Sequence, residues 1–237
     1  KGIEVSVGGE IGEVGGKNST PEELRAFMQG YTDLLGKDKL GISKMSIQTG
    51  TSHGGVVLPD GSVAKVKLDF DTLKNMSELS RKEFGMAGAV QHGASTLPDE
   101  AFGKFAEVET AEVHLATQFQ NMIYENKSFP GKLRDKIYGW LNENMSGERK
   151  KDQTEEQFFY KTRKKALGPF KKDILTLPKD VKESIIKSIE GKFEFLFKKL
   201  NIKDTKDIIL KYVPSKPIKT VLKTEHPEAH LDGEGDD

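Results

Sequence analysis

The sequence predicts an α/β fold in which short parallel strands alternate with helices. Over about the first 120 residues, four short apolar runs that end in polar or small residues alternate with segments of helical periodicity. In the same region Glu10, His53 and His92 recur at spacings of 43 and 39 residues. Each spacing is about the length of a strand, a loop, a helix and a return loop. The repeat therefore places these three side chains at one height on successive strands.

The four strands are predicted from alternation and from short β-type runs. Near the N-terminus Ile3, Val5 and Val7 alternate with polar residues. The other three strands are the runs KMSIQTG, AGAVQHG and AEVHLAT. The expected strand ends are Glu10, Gln48, Gln91 and Thr117.

Two helices between these strands have clear boundary signals. The first begins with Thr20, Pro21 and Glu23, an N-cap hydroxyl followed by a first-turn proline and a glutamate. The second runs from about residue 71 to 84 and closes at Gly85. A tight turn is predicted for residues 58–61, Leu-Pro-Asp-Gly.

From about Lys132 the pattern becomes helical only. One amphipathic stripe includes Ile137 and Leu141, and a longer one runs from Val181 to Leu200. We therefore expect a strand–helix region at 1–131, a helical extension at 132–213 that packs as an appendage, and an acidic, disordered tail at 214–237. His226 and His230 lie in that tail and are not expected to chelate a metal, because Pro227 between them disfavours a helix.

Composition narrows the class of protein. The chain has 237 residues with 37 basic and 37 acidic side chains, so no net charge attracts it to nucleic acid or membrane. No apolar run approaches the length of a membrane span, and the first residues lack the apolar core of a signal peptide. Cysteine is absent, which fits a reducing cytoplasm and leaves only nitrogen and oxygen atoms to hold a metal.

Glutamate and histidine raised to one face of a sheet make a divalent-metal site. A single histidine at a strand end is more readily explained as a hydrogen-bonded core or rim residue, but three chelating residues at one period favour the site. Gly54, Gly55 and Gly93 beside the histidines allow backbone N–H groups to approach an anion closely. Ser95 and Thr96 precede Pro98, so a helix N-terminus is expected to point at the same ligand.

Four motifs, EIGEVGG, GTSHGGV, QHGAST and EVHLATQFQN, resemble the last four strand ends of the class II, metal-dependent ketose-bisphosphate aldolases. The resemblance covers about residues 3–125. It implies the C-terminal half (strands 5–8) of a TIM (β/α)8 barrel, followed by the helical extension. It also implies reversible cleavage of a ketose bisphosphate, such as fructose 1,6-bisphosphate, into dihydroxyacetone phosphate and an aldehyde. The family uses zinc or a similar divalent ion, so Zn²⁺, Co²⁺, Mn²⁺ or Fe²⁺ is expected.

The family's functional residues transfer to matching positions of this chain. The resemblance implies metal ligands at Glu10, His53 and His92. The family's phosphate-binding positions fall on Gly54, Gly93, Ser95 and Thr117. His114 stands where the family has a substrate-contacting Asn.

Two of the motifs depart from the family pattern. Lys17 and Asn18 occupy places where the family usually has acidic residues, one of them assigned to proton transfer. Glu13 is the candidate catalytic substitute, because Glu22 and Glu23 look committed to the helix start. In the last motif Ala116 replaces an aspartate, so a second carboxylate is missing.

About 120 residues supply only half of a barrel whose usual size is about 250 residues, and half a barrel leaves sheet edges unpaired. We therefore expect a missing N-terminal half, or a homo-oligomer, to complete the barrel, and activity of this chain alone to be doubtful. Two alternatives remain open: a non-catalytic barrel that binds metal and phosphosugar, and a metal-dependent sugar-phosphate isomerase or epimerase.

Overall fold

The structure is a computed structural model, and it describes residues 5–12, 16–36, 38–50, 55–60, 62–64 and 68–213. The chain divides into two compact units, residues 1–203 and 204–237. The first unit contains the sheet and most of the helices. In the second unit, α9 (Lys206–Tyr212) lies within the described residues, whereas the predicted tail at 214–237 lies outside them.

A four-stranded sheet organises the first unit. Its strands are β1 (Gly8–Glu10), β2 (Lys44–Ile47), β3 (Ala89–Gln91) and β4 (Glu112–Val113). All neighbouring pairs are parallel, and the strands lie side by side in chain order. The predicted α/β pattern with a parallel sheet is therefore confirmed.

The strand boundaries differ from the prediction at both outer strands. Val5 and Val7 precede β1 and are exposed, with 72% and 52% of their surface accessible, so their alternation does not mark a buried strand. At the other edge β4 ends at Val113, and Thr117 begins a helix instead of closing the strand. The pairing stops there because Gln91, the partner of Val113, is the last residue of β3.

The first two helices follow their sequence signals. In α1 (Pro21–Leu35) the Thr20 side chain accepts from the Glu23 N–H, and the Glu23 carboxylate accepts from the Thr20 N–H at 2.8 Å. In α2 (Phe70–Phe84) Asp69 is the N-cap, and Gly85 ends the helix in the left-handed conformation at φ 63°. Both helices thus begin and end where capping residues satisfy their free backbone groups.

The remaining helices complete the fold. They are α3 (Phe102–Glu107), α4 (Thr117–Tyr124), α5 (Gly131–Asn144), α6 (Glu155–Thr162), α7 (Lys171–Leu175) and α8 (Lys179–Lys199). Short 3-10 turns occur at Ala94–Thr96, Asp99–Ala101, Ser146–Glu148 and Arg163–Leu167. Within the described ranges after residue 132 there is no strand, as the sequence predicts.

Two hydrophobic cores stabilise the first unit. One lies between the sheet and the helices α1, α2 and α3, and the other lies among the later helices. Helix α8 contributes Leu196 to the first core and Ile185 to the second. The later helices thus pack onto the strand–helix region, where α8 contacts α3 and α4. The domain boundaries expected at residues 131 and 213 stay a prediction.

The two faces of the sheet differ in chemistry. Met45, Ile47 and Ala89 are buried on the face that the helices cover. The register aligns Glu10 with Ser46, then with Val90 and Glu112, on the opposite face. Successive side chains of a strand alternate between faces, so the polar and charged side chains gather on this second face. Among the helices that the structure describes, none has the length and hydropathy of a membrane span.

Candidate functional site

The candidate site lies at the carboxyl ends of the strands. Glu10 ends β1, while His92 and His114 each follow the last residue of their strand. These side chains and Lys44 line a cavity of 330 Å³ on the polar face of the sheet. Because parallel strands end at one edge, residues far apart in sequence meet there, as the spacing of the motifs predicts.

Glu10 and His92 approach each other closely. The Glu10 Oε1 and His92 Nδ1 atoms lie 3.5 Å apart, and their side chains are 52% and 27% exposed. Two ligands at 2.0–2.2 Å from a tetrahedral zinc ion lie about 3.4 Å apart. The oxygen and nitrogen donors therefore fit a divalent metal. His53 and Gly54, the other predicted residues at this point, lie outside the described residues, and the described residues alone form no cluster of three metal-ligating side chains.

His114 is held by two neighbouring groups. Its ring stacks on the His92 ring with a centroid distance of 4.5 Å, and its Nε2 lies 2.9 Å from Glu112 Oε2. Lys44 donates a hydrogen bond to the other Glu112 oxygen. Sequence reasoning identified His114 but missed Lys44 and Glu112. Their position in the strand alternation could have found them, since Lys44 shares its face with Ser46, and Glu112 shares its face with His114.

The charge state of Glu112 follows from these contacts. Partial burial opposes ionisation of this carboxyl, but hydrogen bonds from Lys44 and His114 outweigh it and lower its pKa below the usual value of 4.5. An ionised carboxylate only accepts hydrogen bonds, so the His114 Nε2 must carry the hydrogen. The ionised Glu112 carboxylate thus fixes the orientation of the His114 ring in the cavity.

Three of the predicted phosphate-binding residues, Gly93, Ser95 and Thr117, also lie in neighbouring segments. Gly93 has a positive φ of 67° and opens the 3-10 turn Ala94–Thr96 directly after β3. The Ser95 hydroxyl accepts a hydrogen bond from the Ala116 N–H at 3.0 Å, next to Thr117 at the start of α4. Ser95 and Thr117, which are 22 residues apart in sequence, therefore belong to adjoining segments at one end of the sheet.

The expected helix N-terminus at Ser95 and Thr96 is not formed. A second 3-10 turn, Asp99–Ala101, follows Pro98, and α3 begins only at Phe102. Asp99 and Glu100 in that turn would repel an anion at the helix start. The N–H groups near Ser95 are instead those of the 3-10 turn. The buried Thr96 Oγ1 has no hydrogen-bond partner among the residues that the structure describes.

The residues at the family's acidic positions serve other purposes. The Asn18 side-chain amide donates to Asp69 Oδ2 at 2.8 Å and so ties this segment to the start of α2. Lys17 is exposed. The Glu23 carboxylate is occupied by the α1 cap, as the sequence suggests, and the candidate base Glu13 lies outside the described residues.

The segment after His53 forms a small hairpin. We call residues 55–64 the hairpin, of which residue 61 is outside the described part. The Leu58 N–H donates to the Ser62 carbonyl at 2.7 Å, and Val57 pairs with Val63 in an antiparallel bridge. Asp60 accepts from both the N–H and the hydroxyl of Ser62. These bonds agree with the turn predicted for residues 58–61, of which residues 58–60 are described.

The chain is similar to known proteins of one family. The profile of the family "Fructose-bisphosphate aldolase class-II" matches residues 1–198 of the chain. A solved structure, that of a "putative fructose-1,6-biphosphate aldolase from Coccidioides immitis", is 19% identical with a TM-score of 0.36. The match covers 75% of this chain, which spans 54% of the length of that one. Among curated proteins, none matches the chain.

The family profile covers most of the chain and includes all four of the motifs quoted above. The chain therefore belongs to the class II fructose-bisphosphate aldolase family.

Proposed function

We propose that the chain supplies the metal- and phosphate-binding part of an aldehyde lyase, which reversibly cleaves fructose 1,6-bisphosphate into dihydroxyacetone phosphate and an aldehyde. The observation that supports this best is the 3.5 Å approach of Glu10 to His92 at the strand ends. The Ser95 turn follows His92 directly, so a metal and a substrate phosphate would be neighbours. Family membership supports the reaction class.

Glu10, His53 and His92 would hold the divalent cation. Their oxygen and nitrogen donors suit Zn²⁺ first, with Co²⁺, Mn²⁺ or Fe²⁺ as alternatives. When bound, such a cation stabilises as a Lewis acid the enediolate that aldol cleavage produces. The Glu112–His114 contact would keep the His114 ring in place beside the metal ligands, where the ring can hydrogen-bond a substrate hydroxyl.

The substrate phosphate would lie on Gly54, Gly93, Ser95 and Thr117. Ser95 is suited to this task because it accepts, and does not donate, in its bond with Ala116. Its hydroxyl hydrogen therefore remains available for a phosphate oxygen. Gly93 lacks a side chain, so the backbone N–H groups of the turn can approach the anion closely.

Proton transfer is assigned to Glu13. Asn18 carries an amide, which is not a base, and the Glu23 carboxylate is engaged in the cap of α1. Glu13 follows Glu10 by three residues and precedes the Gly-Gly pair of the first motif. It lies four residues before Lys17, the first of the two positions where the family has acidic residues.

We further propose that the sheet is the C-terminal half of a TIM barrel and that a second polypeptide segment completes it. In the described sheet β1 pairs only with β2, and β4 pairs only with β3, so each has an unpaired edge. The charged face with Glu10 and His92 would become the interior of the closed barrel. A missing N-terminal half or a second copy of the chain could provide the other strands.

The test combines metal binding and turnover. Calorimetry with ZnCl₂ should detect one tight site in the chain, and His92→Ala should abolish it. His226→Ala is the matched control, because it removes a histidine that we expect to lie in the tail, and binding should be unchanged. Co-expression with the N-terminal half of a class II aldolase should yield cleavage of fructose 1,6-bisphosphate that EDTA abolishes.

Two results would contradict the proposal. If His92→Ala binds Zn²⁺ as the wild type does, the proposed metal site is excluded. Turnover that persists after thorough chelation would exclude a metal-dependent reaction.

A second candidate is a non-catalytic barrel that binds metal and phosphosugar. The use of Asn18 as a structural link to Asp69, at a position where the family has an acidic residue, favours it. Binding of dihydroxyacetone phosphate without any turnover in the completed barrel would identify this second function.

A further inference from the structure

Helix α6 begins with a capping box whose two side chains can also donate hydrogen bonds to another segment of the chain. The Thr154 hydroxyl accepts from the Gln157 N–H at 3.3 Å, and Gln157 Oε1 accepts from the Thr154 N–H at 3.1 Å. These two bonds satisfy the first free N–H groups of the helix. They leave the Thr154 hydroxyl hydrogen and the Gln157 amide hydrogens available to other partners.

Both remaining donors bind the hairpin. The Thr154 hydroxyl donates to the Pro59 carbonyl at 2.9 Å, and Gln157 Nε2 donates to the Val57 carbonyl at 2.7 Å. The partners are 95 and 100 residues apart in sequence, and Val57 is buried. The capping box therefore anchors the hairpin to α6 while it caps the helix.

The residue type at position 157 matters for this double role. The amide of glutamine both accepts and donates, whereas a carboxylate only accepts. The capping box of α1 has Glu23 at the equivalent position, where its carboxylate accepts from the Thr20 N–H. A glutamate at position 157 could cap α6 equally well but would face the Val57 carbonyl without a hydrogen.

The first residue of the hairpin meets the turn after β3. Gly55, with φ of 72°, approaches this turn so closely that an added Cβ would lie 2.9 Å from Thr96 Cγ2. It would also lie 2.7 Å from Val63 Cγ1 across the hairpin. The hairpin is thus held between α6 and the turn that contains the predicted phosphate residue Ser95.

The other end of the segment that leads to the hairpin is also fixed. The Gly50 N–H donates to Gln48 Oε1 at 3.0 Å, directly after β2. Residues 51–54, which include the predicted ligand His53, lie between Gly50 and the hairpin.

We propose that Thr154 and Gln157 are positioning residues of the candidate site, because they fix the hairpin. The hairpin contacts the turn that contains Ser95, and in the sequence it directly follows His53 and Gly54. The helical part of the chain would then have a functional task beyond packing. The link to metal binding rests on the proposed function, whereas the anchoring of the hairpin does not.

The test uses Gln157→Glu in the 237-residue chain. Amide hydrogen exchange should accelerate about tenfold at Leu58 and Ala64, whose N–H groups form hairpin bonds, because one buried bond to the hairpin is lost. Exchange in α6 should stay unchanged, since the cap is retained. The matched control Glu23→Gln alters the other box and should leave the hairpin unchanged. Thr154→Ser keeps every bond and should behave as wild type.

Calorimetry with ZnCl₂ on the same variants tests the link to the site. We expect Gln157→Glu to weaken Zn²⁺ binding several-fold and Glu23→Gln to leave it unchanged. Unchanged exchange at Leu58 and Ala64 in Gln157→Glu would overturn the anchor. Faster exchange with unchanged Zn²⁺ affinity would overturn its role in positioning the site. A wild-type chain that binds no Zn²⁺ would instead overturn the proposed function, while the exchange comparison would still decide the anchor.

Discussion

Lys44 and Glu112 show how a charged pair on the sheet can organise the candidate site. Lys44 lies on β2 and Glu112 on β4, so their contact crosses β3 above the small side chain of Val90. Glu112 in turn holds His114, which stacks on His92. The arrangement of the site therefore depends on the ammonium group of Lys44, a residue that none of the four motifs contains.

Removal of Lys44 should loosen this arrangement. In Lys44→Met the Glu112 carboxylate loses its charged partner, and we expect a loss of about 1 kcal/mol or less in unfolding free energy, because the pair is partly exposed. Urea unfolding measures the loss. In the control Lys44→Met/Glu112→Gln no charge is left unpaired, so most of the stability should return. A double variant that is less stable than the sum of the single changes would contradict the pairing.

The pH dependence of stability has a defined sign at this pair. The pKa of Glu112 is lowered in the folded state, so its contribution to stability is present above the unfolded value of 4.5 and is lost as pH falls through the folded value. Wild type should therefore lose stability more steeply than Lys44→Met below pH 4.5.

At the scale of elements, Asp69 joins a helix start to a loop of the site. It caps α2 by accepting from the Thr72 N–H at 2.9 Å, and it accepts from the Asn18 side chain at 2.8 Å. The Thr72 backbone hydrogen bond is the largest cause of its lowered pKa, followed by an opposing effect of burial. One carboxylate thus stabilises α2 and fixes the chain between β1 and α1.

Replacement of Asp69 by Ala should lower the unfolding free energy by about 1–2 kcal/mol, because the cap and the Asn18 bond are lost together. Asp69→Asn keeps an oxygen that can cap the helix and should cost clearly less. Since the folded pKa of Asp69 is lowered, the difference between wild type and Asp69→Asn should shrink as pH falls through that value. Thermal unfolding of the three proteins measures these effects. Equal stability of Asp69→Ala and wild type would show that this cap contributes nothing.

At the scale of the whole molecule, the unpaired edges of β1 and β4 dominate the expected behaviour. An edge strand offers free N–H and C=O groups to any other strand, and the polar face of the sheet forms a closed interior only when further strands are added. The family's reaction needs a cavity from which water can be excluded. The described sheet is open on both sides.

We therefore expect the isolated chain to self-associate in sedimentation experiments and to bind the dye ANS more strongly than it does after the barrel is completed. Co-expression with the N-terminal half of a class II aldolase should abolish both effects, because the edges become paired. Co-expression with an unrelated (β/α)8 half-barrel serves as the control. A stable monomer without ANS binding would show that the isolated chain protects its sheet edges without added strands.

Much of this arrangement could be predicted from sequence, because it depends on local chemistry. The Thr20 and Glu23 cap, the end of α2 at Gly85 and the alternation of strands with helices all follow from short-range hydrogen bonding and side-chain periodicity. The similar spacing of the strand-end motifs also predicted that Glu10 and His92 lie at one edge, since parallel strands end together. The ligand role of Glu10, His53 and His92 stays a prediction, as do the phosphate residues.

Other features depended on contacts between distant parts of the chain. The end of β4 at Val113 was set by the length of β3, and the role of Asn18 was set by the position of Asp69. The Lys44–Glu112 pair and the bonds from Gln157 to the hairpin join segments 68 and 100 residues apart. No local pattern encodes which distant carbonyl or carboxylate a side chain will meet. The sequence by itself thus determined the elements and the chemistry at the strand ends, while only the tertiary structure decided which side chains hold that chemistry in place.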